Sequence, residues 1–276
     1  MSLTVNTNLS AMSAASSLNV SQGKLSQTLA RISSGLRVTK AADDAAGSAV
    51  AMNLKSTARS GRQAIRNSND GISVIQTAEA ATKEVLNILD RMRELAVQSS
   101  SETLATDERG YIDDEFDDLA AEVERIAQAS EFNDIALSDG TNTTLTVQVG
   151  VTSGTESEVD ITMGDLTAST LGVNTAVINL STAATAQTAI DDIDDAIDSV
   201  NTIRAEYGSA QNRLDSSVNN MTAYVESLTA AVSQIMDADY AHETAQMTRL
   251  QVMQQAGVAA LAQARTVNQS VISLLA

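Results

Sequence analysis

The sequence predicts a mainly α protein: a long antiparallel coiled-coil helix bundle that carries a small β-hairpin region, with paired helices at the two chain ends. Three observations carry this expectation. Ile193, Ala196, Val200, Ile203, Tyr207, Ala210, Leu214, Ser217, Met221, Tyr224, Leu228, Ala231 and Ile235 alternate steps of three and four, as the seam of a coiled coil does. Both ends of the chain carry matched apolar stripes at helical spacing. Between them the period falls to two, which is the spacing of a half-buried strand.

Taken in order, residues 3–36 place Leu18, Leu25 and Ile32 seven apart, with Leu29 and Leu36 in the alternation. Ser33-Ser34-Gly35 breaks that pattern, and a second helical stretch is expected from about Asp43 to Arg66. Asn67 to Gly71 reads as a polar pause with good capping residues. The stripe resumes at Ile72 and runs through Ile75, Ala78, Thr82, Val85, Leu89, Met92 and Ala96. A turn is expected over Thr103 to Asp107, then a third stripe of Ile112, Phe116, Leu119, Val123 and Ile126. Leu145, Val147 and Val149 alternate with polar residues, as do Val159, Ile161 and Met163, and the Gly150 to Thr155 segment between them suits a hairpin. Residues 164–188 are rich in Thr and Ala and give weak signals. After the long seam, Tyr240 to Thr244 looks like a break. Met247 to Leu275 is helical again, with Leu250, Leu261, Val271 and Leu275 on one side and Gln254, Gly257 and Asn268 interrupting the seam.

Composition narrows the function classes. The 276 residues include no Cys, Pro or Trp, and only four Tyr and two Phe. Disulfides, thiolate metal sites and a cysteine nucleophile are therefore excluded, and no prolyl ring interrupts a helix. The opening Met1-Ser2-Leu3-Thr4-Val5-Asn6 has neither the basic nor the apolar block of a secretory signal. No apolar run is long enough to span a bilayer, so no membrane insertion is expected. The net charge of −18 is unevenly spread: +6 over residues 1–66, −25 over 67–240 and +1 over 241–276. A body that acidic repels phosphate, so nucleic acid is not expected as a partner.

No cofactor and no catalytic or metal site is expected. His242-Glu243 is half of a zinc-protease signature, but position 246 is Gln and the chain has one His. The acidic runs Asp113–Asp118 and Asp191–Asp195 lack the Gly-turn spacing of a calcium loop and read as solvated helix faces. A two-helix pair made from the chain ends leaves sides of its stripes uncovered. The ends are therefore expected to be ordered by neighbouring copies, and identical contacts that do not close generate a filament.

The chain resembles the bacterial flagellins over residues 1–140 and 185–276. The resemblance rests on segments in order: Leu29-Ala30-Arg31-Ile32-Ser33-Ser34-Gly35-Leu36-Arg37, Ala42-Asp43-Asp44-Ala45-Ala46-Gly47, Asn67-Ser68-Asn69-Asp70-Gly71-Ile72-Ser73, Arg93-Glu94-Leu95-Ala96-Val97-Gln98 and Glu131-Phe132-Asn133. Toward the C-terminus come Gln211-Asn212-Arg213-Leu214, Asp237-Ala238-Asp239-Tyr240-Ala241, Gln254-Gln255-Ala256-Gly257 and Ser273-Leu274-Leu275. The resemblance implies a non-enzymatic subunit of the extracellular flagellar filament, exported without a cleaved signal peptide; a hook–filament junction protein is the alternative. It implies inner-core helices at 1–40 and 241–276, outer-core helices at 41–140 and 189–240, and a short surface insertion at 141–188. Leu18, Leu25, Leu29, Ile32, Leu250, Leu261, Val271 and Leu275 would pack the inner core, and Ser33, Ser34, Gly35, Asp43 and Asp44 would form the linker to the outer core. Implied partners are further copies of the chain, a flagellar export chaperone, and the filament cap and hook-junction proteins. Arg91, Leu95 and Glu115 match a subunit-interface patch that the vertebrate flagellin-sensing Toll-like receptor can read.

Overall fold

The computed structural model describes residues 7–275, with side chains described through residue 266. Its helices are α1 (Leu9–Ser34), α2 (Ala45–Ser99), α3 (Thr106–Ala129), α4 (Ala183–Met236) and α5 (Tyr240–Leu275). Four short strands lie between α3 and α4: β1 (Glu131–Phe132), β2 (Ile135–Ala136), β3 (Thr144–Gln148) and β4 (Glu158–Thr162). Contacts divide the chain into two units, one of Met1–Ala58 with Glu226–Ala276 and one of Arg59–Val225.

Local chemistry sets the element ends. Asn8 caps α1 by accepting the Ala11 amide at 2.9 Å. Gly35 ends the helix in the left-handed region at φ 69°, where a side chain would be strained, and donates its amide to the Arg31 carbonyl. α2 starts where Asp44 Oδ1 accepts the Gly47 amide. The expected pause at Asn67 to Gly71 is absent, and α2 runs unbroken for 55 residues. Packing overrides the local polarity there. The Ser68 hydroxyl returns a hydrogen bond to the Ala64 carbonyl, and Gly71 admits Val147 and Leu214 close to the helix backbone. Arg109 tightens the turn into α3 through the carbonyls of Ser99 and Ser101.

In the Arg59–Val225 unit, α2 and α4 run antiparallel, with Gly61 close to Val225 and Gly71 close to Leu214. One core lies among α2, α3 and α4, around Leu89, Met92, Phe116, Val123, Ile193 and Val200. Leu166, Leu171, Val173, Ile178 and Leu180, from the segment whose sequence signals were weak, complete it. A second core joins the hairpin to α2 and α4 through Ile75, Val147, Ile161, Tyr207 and Leu214. The predicted hairpin is present: β3 pairs antiparallel with β4, Leu145 opposite Ile161 and Val147 opposite Val159. The β1–β2 hairpin turns on Asn133 and Asp134, both at positive φ.

α4 is continuous for 54 residues, yet its buried face departs from the predicted seam. Leu214 is followed by Val225, Leu228 and Val232 as buried residues, whereas the expected Tyr224 is 42% exposed. A strict 3.5-residue repeat drifts around a straight helix, so the buried face shifts by one position after three turns. The break between α4 and α5 covers residues 237–239, and α5 has already begun at Tyr240.

Candidate functional site

The chain's two end helices meet in the unit of Met1–Ala58 with Glu226–Ala276. α1 and α5 pack antiparallel, and four contacts set their register. Asn8 Nδ2 donates to the Ala264 carbonyl at 2.8 Å. Leu18 sits where a Cβ on Gly257 would lie 3.2 Å from its Cδ1. Gln254 Nε2 donates to Gln22 Oε1 at 2.6 Å, and Arg31 pairs with Glu243 at 3.3 Å. The pair is closed at its base by a backbone bridge between Leu36 and Asp237. There the Arg37 amide donates to the Met236 carbonyl and the Ala238 amide to the Gly35 carbonyl.

Among the described residues the facing seam is thin in apolar mass. Its buried α1 residues are Ser21, Leu25 and Thr28, and α5 contributes buried Glu243 and Leu250. Gln254 and Gly257, read from sequence as interruptions, instead face α1 as a polar clasp and as room for Leu18. Glu243, Gln22 and Asn8 are polar and so fall outside an aliphatic stripe; for Glu243 the sequence signal is its place in a row with Leu250, Gly257 and Leu261, seven, seven and four residues apart.

Of the residues expected to pack this pair, Leu25 and Leu250 are buried, and Leu18, Ile32 and Leu261 are half-buried. Leu29 is 46% exposed in the single chain, and the adjacent Thr28 is the residue buried on the α1–α5 seam. The side chains of Val271 and Leu275 lie outside the described residues. Exposed apolar side chains flank the seam on both helices, among them Leu9, Met12 and Val20 on α1 and Val252, Met253 and Val258 on α5. Val20 and Met253 also line an open groove of about 420 Å³ between the helices, together with Lys24 and Arg249.

The residues expected to form the linker lie in a hydrogen-bonded turn between α1 and α2. Ser34 Oγ accepts the Leu36 amide. Asp43 accepts the Thr39 hydroxyl at 2.9 Å and the amides of Thr39 and Lys40. The Thr39 hydroxyl bond, above the other contacts, holds the Asp43 carboxyl below the usual carboxylate range. Ser33 is exposed at the last turn of α1, and Asp44 caps α2.

The patch of Arg91, Leu95 and Glu115 is only partly a surface. Arg91 bridges to Glu115 at 2.8 Å and to Glu94 at 2.9 Å, all three half-exposed or more. Leu95 is 1% exposed and belongs to the core among α2, α3 and α4, so it presents nothing to a partner in this structure. Among the described residues no group of three or more His, Cys, Asp or Glu is placed to hold a metal ion. No described helix is long and apolar enough to cross a membrane.

Paired terminal helices joined through long antiparallel helices define a class of helical structural protein, and comparison with known proteins places the chain within it. The bacterial flagellin N-terminal helical region matches residues 5–143, and the bacterial flagellin C-terminal helical region matches 190–275. The chain is 42% identical to a flagellin of Halalkalibacterium halodurans over 98% of this chain and 99% of that one. It is 36% identical to the flagellar filament 33 kDa core protein of Treponema phagedenis over 98% of this chain and 99% of that one. Among solved structures, a Bacillus cereus flagellin superposes with a TM-score of 0.50 at 33% identity, covering 56% of this chain and 88% of that one. A putative flagellar hook-associated protein from Vibrio parahaemolyticus shares the fold, with a TM-score of 0.60 at 17% identity, over 71% of this chain and 100% of that one. The chain belongs to the bacterial flagellin family, a family of structural proteins.

Proposed function

We propose that this protein is the repeating subunit of an extracellular bacterial flagellar filament, and that its terminal helices are the assembly element. The observation that carries the reading is the α1–α5 pair: among the described residues its seam buries few apolar side chains, while Leu9, Met12, Val20, Val252, Met253 and Val258 stay exposed. Such side chains gain roughly 1.5–3 kcal/mol each when fully removed from water. Neighbouring copies supply that cover, and head-to-tail repetition of one contact yields an open helical polymer. On this reading residues 1–40 and 241–276 form the inner core, 41–140 and 189–240 the outer core, and the linker at Ser33, Ser34, Gly35, Asp43 and Asp44 sets the angle between them. Export through the flagellar secretion system, with an export chaperone, and growth beneath a cap from the hook junction complete the proposal. The Arg91–Glu115 surface is offered first as a subunit contact and second as a surface for the vertebrate flagellin-sensing Toll-like receptor.

The test is polymerisation of purified protein with salt or short filament seeds, viewed by negative-stain microscopy. Long tubes of constant width are expected from the full chain, and none from a truncation lacking residues 1–40 and 241–276. Rings, short caps or monomers from the full chain would overturn the reading in favour of a junction protein. Long tubes from the truncation would remove the terminal helices from the assembly mechanism.

A further inference from the structure

Two helix faces of the Arg59–Val225 unit carry opposite charge at matching spacing. On α2, Arg59, Arg62 and Arg66 are all exposed, and no acidic residue interrupts α2 before Asp70. Among the described residues none of these three guanidinium groups has a carboxylate partner; Arg66 bonds only the amide oxygen of Gln63. On α4, Asp191, Asp195 and Asp198 are all exposed, and their carboxylates are likewise without a cationic partner among the described residues. The neighbouring Asp194 is the one that pairs within the chain, with Arg93 at 2.6 Å.

The arginines are spaced three then four apart, and the aspartates four then three. Laid antiparallel, Arg59 meets Asp198, Arg62 meets Asp195 and Arg66 meets Asp191 in a single register. Positions at these spacings share one face of a helix, so all three pairs form together or none does. The chain's own α2–α4 pairing cannot supply this. Within the unit, Arg93 faces Asp194 and Glu79 faces Arg204, which leaves Asp191 to Asp198 about 28 residues along α2 from the arginines, or ~42 Å at ~1.5 Å per residue.

We propose that the Arg59/Arg62/Arg66 face docks on the Asp191/Asp195/Asp198 face of a second copy of this chain, as a charge-keyed contact that sets the axial offset between subunits. The inference rests on the filament reading above and names a contact within it. The unit as a whole carries 10 Lys or Arg against 29 Asp or Glu. Copies therefore repel unless they meet where the arginine stripe is opposed to carboxylates, which selects one register over its neighbours.

The experiment compares critical concentrations for salt-induced polymerisation, without wild-type seeds, across four proteins: wild type, Arg59→Glu/Arg62→Glu/Arg66→Glu, Asp191→Lys/Asp195→Lys/Asp198→Lys, and the six substitutions together. Circular dichroism of each monomer establishes that the helices are intact. Each triple variant is expected to raise the critical concentration about tenfold or more, and the combined variant to return to within about threefold of wild type. The lysine triple is decisive, because it is the less acidic protein and would polymerise more readily than wild type if net charge alone governed assembly. As a second measurement, the cysteine-free background allows Arg62→Cys with Asp195→Cys in one chain. A short bismaleimide is expected to give a ladder of cross-linked chains from filaments and none from monomers. Triple variants that polymerise like wild type, or filaments that give no ladder, overturn the inference and leave the filament reading standing. A wild-type protein that forms no filaments overturns the filament reading itself.

Discussion

Gly164 and Tyr207 show how single residues hold the hairpin to α4. The Gly164 amide donates to the Tyr207 hydroxyl at 3.1 Å, and burial pushes the Tyr207 phenol above its ordinary pKa. A Cβ at Gly164 would lie under 3 Å from three side-chain atoms of Ile203, Cγ2 nearest. A β-branched side chain cannot swing clear, so Gly164→Ala forces a backbone shift and is expected to cost about 1–3 kcal/mol. Tyr207→Phe leaves the Gly164 amide unpartnered and is expected to cost about 1–3 kcal/mol. Urea unfolding measures both, and unchanged midpoints would contradict this account of the site. None of this was legible in the sequence. Tyr207 was readable as a seam residue, but its hydroxyl's partner lies 43 residues away in a segment without periodicity.

Helix ties in the Arg59–Val225 unit depend on ionised carboxylates. The Arg93 guanidinium, through its hydrogen bonds, holds Asp194 below the usual aspartate range. A carboxyl lowered in this way contributes stability that is fully present above the ordinary value of about 3.9 and is lost as pH falls through the lower folded value. Arg93→Gln should therefore flatten the loss of thermal stability as pH drops below about 4. Asp117 works in the opposite sense: burial first, then Asp113, Asp114 and Asp118, raise it. Its charge is a liability above its folded pKa, so Asp117→Asn should stabilise the protein at neutral pH and lose that advantage in acid. Thermal melts across pH 2.5–7, a range of roughly the carboxylate titration, check both signs. Helix existence was legible from the apolar periods, and so was the β3–β4 hairpin. Which side of a helix faces inward was less so. α1 carries aliphatic residues on more than one side, so Leu29 and Thr28 competed for one seam position and the shorter, polar residue took it. The Asn67 to Gly71 pause failed because tertiary contacts from Val147 and Leu214 reward an unbroken helix.

At the scale of the whole molecule, the acidic charge and the exposed apolar side chains of the end helices lie in different segments of the chain. The Arg59–Val225 unit is strongly acidic and repels its copies at long range, so moderate salt is expected to speed polymerisation by screening. Faster growth at low ionic strength, followed by light scattering, would contradict this. The filament reading itself came from sequence segments spread along the chain, and the family comparisons agree with it. The polar register of the end helices did not come from sequence, because Gln22 with Gln254 and Arg31 with Glu243 pair across more than two hundred residues. On the filament reading, α1 and α5 are only half-satisfied by each other and are completed by neighbouring copies. Amide hydrogen exchange of α1 and of α5 through residue 266, compared between monomer and filament, tests it most directly. Fast exchange in the monomer relative to residues 59–225, with strong protection on polymerisation, is the predicted result. Helices already as protected in the monomer as that unit, or still unprotected in the filament, would contradict it.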